Sequence, residues 1–333
     1  MIISRRELFA LTGGATLQAQ SALLKAQENG TVFRVKVDMV VLSFQITDNK
    51  NHYINDLKPS DFRIYEDGIL QKISTFAAGT KAPLAVGTDG SLRPLLEAKK
   101  DELPGMDKPD AFVGTNVFVL FDTSNFMYRG FVYAEDAIAD FVRGLDRADS
   151  VAVYTFSRNL SRASTLTREH AEAINGLRNS VAGDDTALYN CLLLTLRDAA
   201  KVPGRKVVIV FSNGPDNASM VAPDDVRAVA EDEGIPIYVI STNEVNKDPI
   251  SSAAFRRIAQ RTGGKAYWAK TWQRQVEAFE NIREDIGNSY TVTYYPAPNP
   301  NEGFRKIAVE IASDPGKKYR VNARPGYRPS RTL

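Results

Sequence analysis

The chain has 333 residues, of which 43% are hydrophobic and 25% charged, and these fractions are ordinary for a soluble globular protein. Its formal net charge is +2 and it has no long basic run, so the composition gives no reason to expect a nucleic-acid partner. A single cysteine excludes a disulfide within the chain. Two histidines, far apart in sequence, suggest neither a zinc site nor a catalytic triad.

The N-terminus differs in character from the rest of the chain. Arg5 and Arg6 precede a mildly apolar, acid-free stretch over residues 8–24, with small residues near its end. Paired arginines before a weak apolar core resemble a twin-arginine export signal, so residues 1–27 are predicted to be an export signal cleaved within 19–27. The alternative is a frayed amphipathic helix. No other segment has the roughly 18 apolar residues that a membrane span needs, so we expect an exported protein of the periplasm or cell envelope, without a transmembrane span in the mature chain.

Alternating apolar residues over 31–79, with turn clusters between them, predict an N-terminal set of antiparallel β-strands. Residues 80–113 break this pattern with prolines, glycines and mixed charge, and are predicted to be a linker or long surface loop. Three or four strands leave one face of a sheet uncovered, so the N-terminal segment needs another layer.

From residue 114 to 287, short apolar runs alternate with segments of helical periodicity. This order predicts an α/β fold with a doubly wound, mostly parallel sheet. Residues 288–327 return to strand patterns. The chain therefore begins and ends in β structure, and we expect the two ends to pack as one β-sandwich into which the α/β domain is inserted.

One stretch organises the α/β segment. Residues 117–121 are apolar and predict a strand buried on both faces, and Asp122 and Ser124 follow it directly. Polar residues at this point lie at the carboxyl edge of the sheet, where open α/β sheets bind their ligands. A carboxylate and a hydroxyl suit Mg²⁺, Ca²⁺ or Mn²⁺. On this pair alone, capping of a turn or of the next helix is the better interpretation.

Three loops at that edge carry a family resemblance. The first loop is 122–126 (Asp-Thr-Ser-Asn-Phe), the second is 183–189 (Gly-Asp-Asp-Thr-Ala-Leu-Tyr), and the third is 212–217 (Ser-Asn-Gly-Pro-Asp-Asn). Their order and spacing resemble the von Willebrand factor A domain and its metal-ion-dependent adhesion site, a Rossmann-like fold, over residues 116–287. The β segment around 57–76 is similar to that of an exported subgroup of such proteins found in acidobacteria.

The resemblance implies a set of metal ligands. In the family the first loop is D-x-S-x-S, the second supplies a threonine and the third an aspartate, which correspond here to Asp122, Ser124, Thr186 and Asn213. Phe126 replaces the second serine of the motif, and Asn213 replaces the aspartate, so the site loses one oxygen ligand and one charge. We therefore expect a degenerate site that binds Mg²⁺ or another divalent cation weakly or not at all. Partner contacts are predicted at the rim: Asn125, Phe126, Asp185 and Asp216.

The function predicted from these features is a non-enzymatic, protein-binding module of the adhesion type. The chain has no P-loop, no G-x-G-x-x-G after a strand and no G-x-S-x-G motif, and Ser124 has no histidine in a neighbouring loop. Two alternatives remain open. One is a metal-dependent hydrolase that uses Asp122, and the other is a structural domain with an inactive site.

Overall fold

The computed structural model describes residues 39–98, 103, 113–312 and 318–329. The predicted export signal at 1–27 lies outside these residues, as does the beginning of the predicted N-terminal β segment. Among the described residues, no helix is both long and apolar enough to cross a membrane.

In the described residues before 113, six strands precede the α/β segment. They are β1 (Val40–Thr47), β2 (Phe62–Glu66), β3 (Ile69–Gln71), β4 (Ile73–Ala78), β5 (Leu84–Val86) and β6 (Leu92–Pro94), with short 3₁₀ turns at Pro59–Asp61 and Leu95–Glu97. Strands β5 and β6 lie within the stretch predicted to be a linker. Each has three residues and joins the edge of a sheet by antiparallel pairing. A run of three residues is too short to show strand periodicity, and the surrounding sequence is rich in turn residues.

The α/β segment alternates strands and helices as its periodicity predicts. Its strands are β7 (Thr115–Asp122), β8 (Ser150–Phe156), β9 (Leu160–Thr167), β10 (Arg205–Ser212), β11 (Ile237–Ser241) and β12 (Ala266–Trp268). Its helices are α1 (Phe131–Arg143), α2 (His170–Arg178), α3 (Leu188–Ala200), α4 (Pro223–Asp232), α5 (Pro249–Thr262) and α6 (Trp272–Gly287). A 3₁₀ segment, Asn125–Gly130, leads into α1.

These six strands form one sheet in the order β12-β11-β10-β7-β8-β9. All neighbours are parallel except β8 and β9, which form an antiparallel edge. Helices cover both faces and create two separate apolar cores, because side chains alternate between the faces of each strand. The predicted fold class, a doubly wound and mostly parallel sheet, is confirmed.

The chain then forms β13 (Tyr290–Tyr294), β14 (Arg305–Ile311), β15 (Arg320–Ala323) and β16 (Gly326–Tyr327). They complete two antiparallel sheets, of order β15-β1-β13-β4-β5-β6 and β16-β14-β2-β3. Strand β13 lies between β1 and β4, and β14 pairs with β2, so both sheets combine strands from the two ends of the chain. Their inner faces share one core, in which the rings of Phe44 and Phe62 lie 5.3 Å apart and those of Phe62 and Tyr290 5.1 Å apart. The expected β-sandwich is therefore present.

The sandwich contacts the α/β domain at the amino edge of the parallel sheet. Arg205, the first residue of β10, is buried and donates to the backbone oxygens of Gly79 and Ile286 and to the Ser289 hydroxyl. Arg324 likewise donates to Val41 O and to the backbone of α4 at Glu231. With the sandwich on the amino edge, the carboxyl edge is left for the three predicted loops.

Candidate functional site

Asp122 is the last residue of β7, and its side chain is fully buried. Oδ1 accepts the backbone N–H of Ser124 at 2.9 Å, which closes a tight turn, and Oδ2 accepts the hydroxyl of Ser212 at 2.6 Å. Burial raises the pKa of this carboxyl, while the hydrogen bond from Ser212 opposes the rise. The carboxylate is thus fixed in place by two donors, with lone pairs to spare.

Ser212 is the residue of this site that sequence reasoning missed as a functional side chain. It ends β10, and since Phe211 pairs with Phe121, it lies directly beside Asp122. The signal was available, because a serine that ends the neighbouring parallel strand at the same register must face the same edge. Its hydroxyl also accepts the backbone N–H of Gly214 at 3.1 Å, which shapes the third loop.

Backbone hydrogen bonds join the three loops. The second loop reaches the first through Gly183 N–H to Thr123 O (2.9 Å) and receives Asn125 N–H at Asp184 O (3.2 Å). The third loop reaches the second through Asn217, whose N–H donates to Thr186 O and whose Oδ1 accepts Thr186 N–H at 2.9 Å. The structure therefore brings together the loops that were predicted to form one site.

Three side-chain oxygens at these loops are buried and have no hydrogen-bond partner among the described residues: Ser124 Oγ, Thr186 Oγ1 and Asn213 Oδ1. Asn213 is held by its other amide atom, since Nδ2 donates to Phe126 O at 3.0 Å. Burying an unpaired polar atom costs about 1–3 kcal/mol, so three of them on adjoining loops call for an explanation.

Together with Asp122, these atoms form a donor set of one carboxylate, two hydroxyls and one amide oxygen. All are hard oxygen ligands of the kind that Mg²⁺ and Ca²⁺ accept, and they are the four residues predicted to bind metal. Among the described residues, no group of three or more His, Cys, Asp or Glu side chains could hold a metal ion. The donor set therefore fits a hard cation with a single protein charge, and water would have to supply the remaining ligands.

The four predicted partner-contact residues differ in their exposure and in the hydrogen bonds they make within the chain. Asn125 is exposed and Phe126 is 47% exposed, so both lie on the rim of the site. Asp185 pairs with Arg158 (3.3 Å) and is only partly exposed. Asp216 is occupied within the chain, since it accepts N–H groups from Tyr189 at the start of α3 and from residues 218 and 219.

Of the aromatic and apolar residues that follow the first loop, Phe126 faces solvent but Met127 is buried at 3% exposure, with its sulfur 3.5 Å from the Thr242 hydroxyl. The side chain of Tyr128 lies outside the described part of the structure. Phe126 can therefore contribute an apolar side chain to the rim of the site, whereas Met127 belongs to the core.

Residues 117–215 match the family model described as von Willebrand factor type A domain. Two curated proteins named dihydroorotate dehydrogenase (quinone) are similar over 155 residues, at 32% identity for the one from Rhizobium leguminosarum bv. trifolii and 30% for the one from Rhizobium etli. Each match spans 46% of this chain but only 39% of the relative, so the chain covers about two fifths of their length.

Solved structures that this chain is similar to are more distant in sequence than these two curated proteins. The conserved hypothetical protein BatB from Bacteroides thetaiotaomicron is 19% identical, with a TM-score of 0.43 over 52% of this chain and 97% of that chain. A von Willebrand factor type A protein from Catenulispora acidiphila is 12% identical, with a TM-score of 0.44 over 84% of this chain and 72% of that chain. The corresponding domain of the type V pili tip protein Mfa5 from Porphyromonas gingivalis is 11% identical, with a TM-score of 0.45 over 53% of this chain and 95% of that chain.

Proposed function

We propose that this chain, which carries a von Willebrand factor type A domain, is a non-enzymatic binding module that engages a protein partner through the carboxyl edge of its parallel sheet. The observation that carries the proposal is the distribution of exposed apolar side chains. Ten large hydrophobic side chains are exposed among the described residues, and seven of them follow the carboxyl ends of strands or precede the second loop: Phe126, Val132, Tyr133, Val181, Met220, Ile250 and Trp272.

The topology explains why these seven residues share one face. In a parallel sheet every strand points the same way, so the start of each following helix lies at the carboxyl edge. Val132 opens α1, Ile250 opens α5 and Trp272 opens α6. Apolar side chains that are grouped on one face and interleaved with polar loops mark a protein-binding surface more often than a neutral one.

We further propose that Asp122, Ser124, Thr186 and Asn213 hold a divalent cation, with Mg²⁺ the best match. Their unpartnered oxygens support this, since a cation would satisfy them together. When bound, the ion supplies positive charge at the base of the apolar rim, to which an acidic side chain of the partner can bind. With one carboxylate in the set and Phe126 in place of a further hydroxyl, the affinity should be low.

A binding role fits the site better than catalysis. The hydroxyl of Ser124 makes no hydrogen bond to a base among the described residues, and the nearby Asp122 carboxylate already accepts two hydrogen bonds in a buried turn. A hydrolase that uses Asp122 remains the alternative, and an inactive structural domain is the other. Turnover of generic phosphatase, esterase or peptidase substrates that disappears in Asp122→Ala would establish the hydrolase and end the binding proposal.

We propose a cell-envelope or periplasmic location for the protein, after export by the twin-arginine route. The paired Arg5 and Arg6 support this proposal. Kinship with an exported acidobacterial subgroup is part of the same proposal. Replacing both arginines by lysine should retain the protein in the cytoplasm, and unchanged export would exclude this route.

The binding proposal can be tested with two matched double variants. Met220→Asp with Ile250→Asp places charges on the carboxyl-edge surface, while Leu70→Asp with Leu92→Asp does the same on exposed apolar residues of the sandwich sheets. With immobilised protein and an envelope extract, we expect a specific partner to be captured by the wild type and by the sandwich variant but not by the edge variant. Equal capture by all three proteins would contradict the proposal.

A further inference from the structure

A second concave feature lies on the other side of the first loop. We call it the side cavity. It has a volume of about 190 Å³ and is bounded by the end of β8, the β8–β9 turn and the end of α2. Its lining consists of Thr123, Thr155, Phe156, Ser157, Asn159, Ser161, Ala163, Gly176, Asn179, Ser180 and Val181.

Hydroxyl groups form the floor of the side cavity. Thr155 is 3% exposed and lines the cavity, and its hydroxyl makes no hydrogen bond to another described residue. Its hydroxyl oxygen is not fully buried, and because Thr155 lines the cavity, we infer that this oxygen is accessible from it. Thr123 is also buried, and its hydroxyl donates to Phe156 O at 3.0 Å, which leaves its lone pairs free to accept. Both hydroxyls can therefore form further hydrogen bonds to a ligand in the cavity.

Among the residues that the structure describes, no charged side chain lines the side cavity. Three arginines are adjacent to its wall in sequence, and all are engaged elsewhere: Arg158 by Asp185, Arg162 by Asp198, and Arg178 by Asp136 and Glu135. Other cavities of the molecule do contain charges, such as Lys72 in the one beside β5. The side cavity therefore offers neutral hydrogen-bond donors and acceptors, and it gives a charged ligand no counter-charge.

We propose that the side cavity binds one uncharged sugar residue of a larger glycan. Hydroxyl and amide side chains both donate and accept, which matches the hydroxyls around a sugar ring. The volume lies below the roughly 300–1,000 Å³ typical of pockets for whole small-molecule ligands, so it suits a single ring of a longer molecule. A peptide finds less here, because the wall lacks a charge; of its two large apolar side chains, Phe156 belongs to the buried core and Val181 is 80% exposed.

The sugar site does not depend on a bound metal, but it shares a segment with the metal ligands. Thr123 lies between Asp122 and Ser124, and it faces the side cavity while its two neighbours belong to the candidate metal site. The proposal goes beyond protein binding at the carboxyl edge. It can fail while that binding survives, and the reverse also holds.

Chemical-shift mapping on the ¹⁵N-labelled full chain with chitotriose, cellotriose and maltotriose tests the proposal. We expect shifts at the amides of Thr155, Ser157 and Asn179 with at least one of these sugars. Thr155→Val keeps the shape and removes the floor hydroxyl, and should weaken that binding about three- to tenfold. Thr165→Val is the matched control, because Thr165 is an exposed threonine of β9 outside the cavity.

A second variant of a cavity residue keeps the proposal testable if Thr155→Val does not fold. Ser161→Val lies on the exposed part of the wall and should weaken binding in the same direction. The proposal is overturned if none of the three sugars shifts the cavity amides, or if Thr155→Val and Ser161→Val bind as the wild type does. It is also overturned if a neutral Gly-Ser-Asn-Thr peptide binds the cavity in preference to every sugar.

Discussion

The two edges of the parallel sheet treat their buried polar groups differently. At the amino edge, Arg205 and Arg324 each keep one unpartnered Nε but bond several backbone oxygens through the rest of the guanidinium group. At the carboxyl edge, Ser124 and Thr186 leave their only polar side-chain atom without a partner. The first arrangement joins two domains, whereas the second leaves buried oxygens that the proposed cation would satisfy.

The presence or absence of internal hydrogen bonds distinguishes buried polar groups that stabilise the fold from those available to bind a ligand. A polar group whose bonds are made within the protein contributes to folding, and removing it exposes its partners to an unsatisfied interior. A polar group that lacks partners costs stability in the unbound protein, and its removal should cost nothing until the ligand is added. Substitutions at the two edges, compared by their effects on stability and metal binding, test this contrast.

The largest effect is expected at the amino edge. Arg205→Ala removes the donor that serves Gly79 O, Ile286 O and the Ser289 hydroxyl, and it opens space between the two domains. We expect the free energy of unfolding to fall by about 3–5 kcal/mol, since several buried acceptors lose their partner at once. Urea denaturation measures the loss. Arg143→Ala, at an exposed ion pair on α1, is the control and should change stability by less than about 0.5 kcal/mol.

At the carboxyl edge, removing a buried polar group should raise the free energy of unfolding instead of lowering it. Thr186→Val removes an unpartnered hydroxyl from a fully buried position with little change of shape, so the metal-free protein should gain about 1 kcal/mol of stability. Thr195→Val is the matched control, because the hydroxyl of Thr195 is equally buried but bonds Cys191 O at 2.9 Å, and its loss should destabilise. Thermal unfolding without metal compares the two. If both variants lose stability equally, the Thr186 hydroxyl has a partner within the fold.

The metal site itself can be strengthened by restoring the family's ligands. Phe126→Ser adds an oxygen and Asn213→Asp adds a charge, and each should tighten Mg²⁺ binding on the order of tenfold, or about 1.4 kcal/mol. Asn243→Asp adds the same charge in the loop after β11, outside the three site loops, and should leave the affinity nearly unchanged. Isothermal titration calorimetry measures all four proteins. Micromolar Mg²⁺ binding by the wild type would show that the site is not degraded.

The smallest effect concerns pH at the amino edge. Burial raises the pKa of Asp149, which accepts the backbone N–H of Thr115 at 2.7 Å. A carboxyl whose pKa is higher in the folded than in the unfolded state stabilises the fold at low pH and loses that contribution as the pH rises through the folded value. Asp149→Asn should therefore gain stability relative to the wild type between pH 4 and pH 7. Denaturation curves at both pH values measure the gain, and a relative loss would mean that nearby Arg205 outweighs burial.

Sequence periodicity was enough to predict the α/β segment. The buried strand before Asp122 and the apolar spacing of the helices follow from how strands and helices bury one face or both, and this requirement is local. The carboxyl edge then follows from topology, and the resemblance to the von Willebrand factor A domain is what implied that Asp122, Ser124, Thr186 and Asn213 belong to one site there. The pairing of the two chain ends was predictable for the same reason, because neither β segment can cover its own apolar face.

Tertiary structure alone decided the rest. Strand β9 has a polar sequence, and it exists because β8 offers an edge to pair with, so no local pattern marks it. The sequence predicted Asp216 as a partner contact, but the fold places it where it accepts three backbone N–H groups. Whether a polar atom is satisfied depends on which distant groups surround it. For that reason a sequence can indicate which side-chain oxygens belong to a candidate site. Only the folded chain shows which of these oxygens have no hydrogen-bond partner.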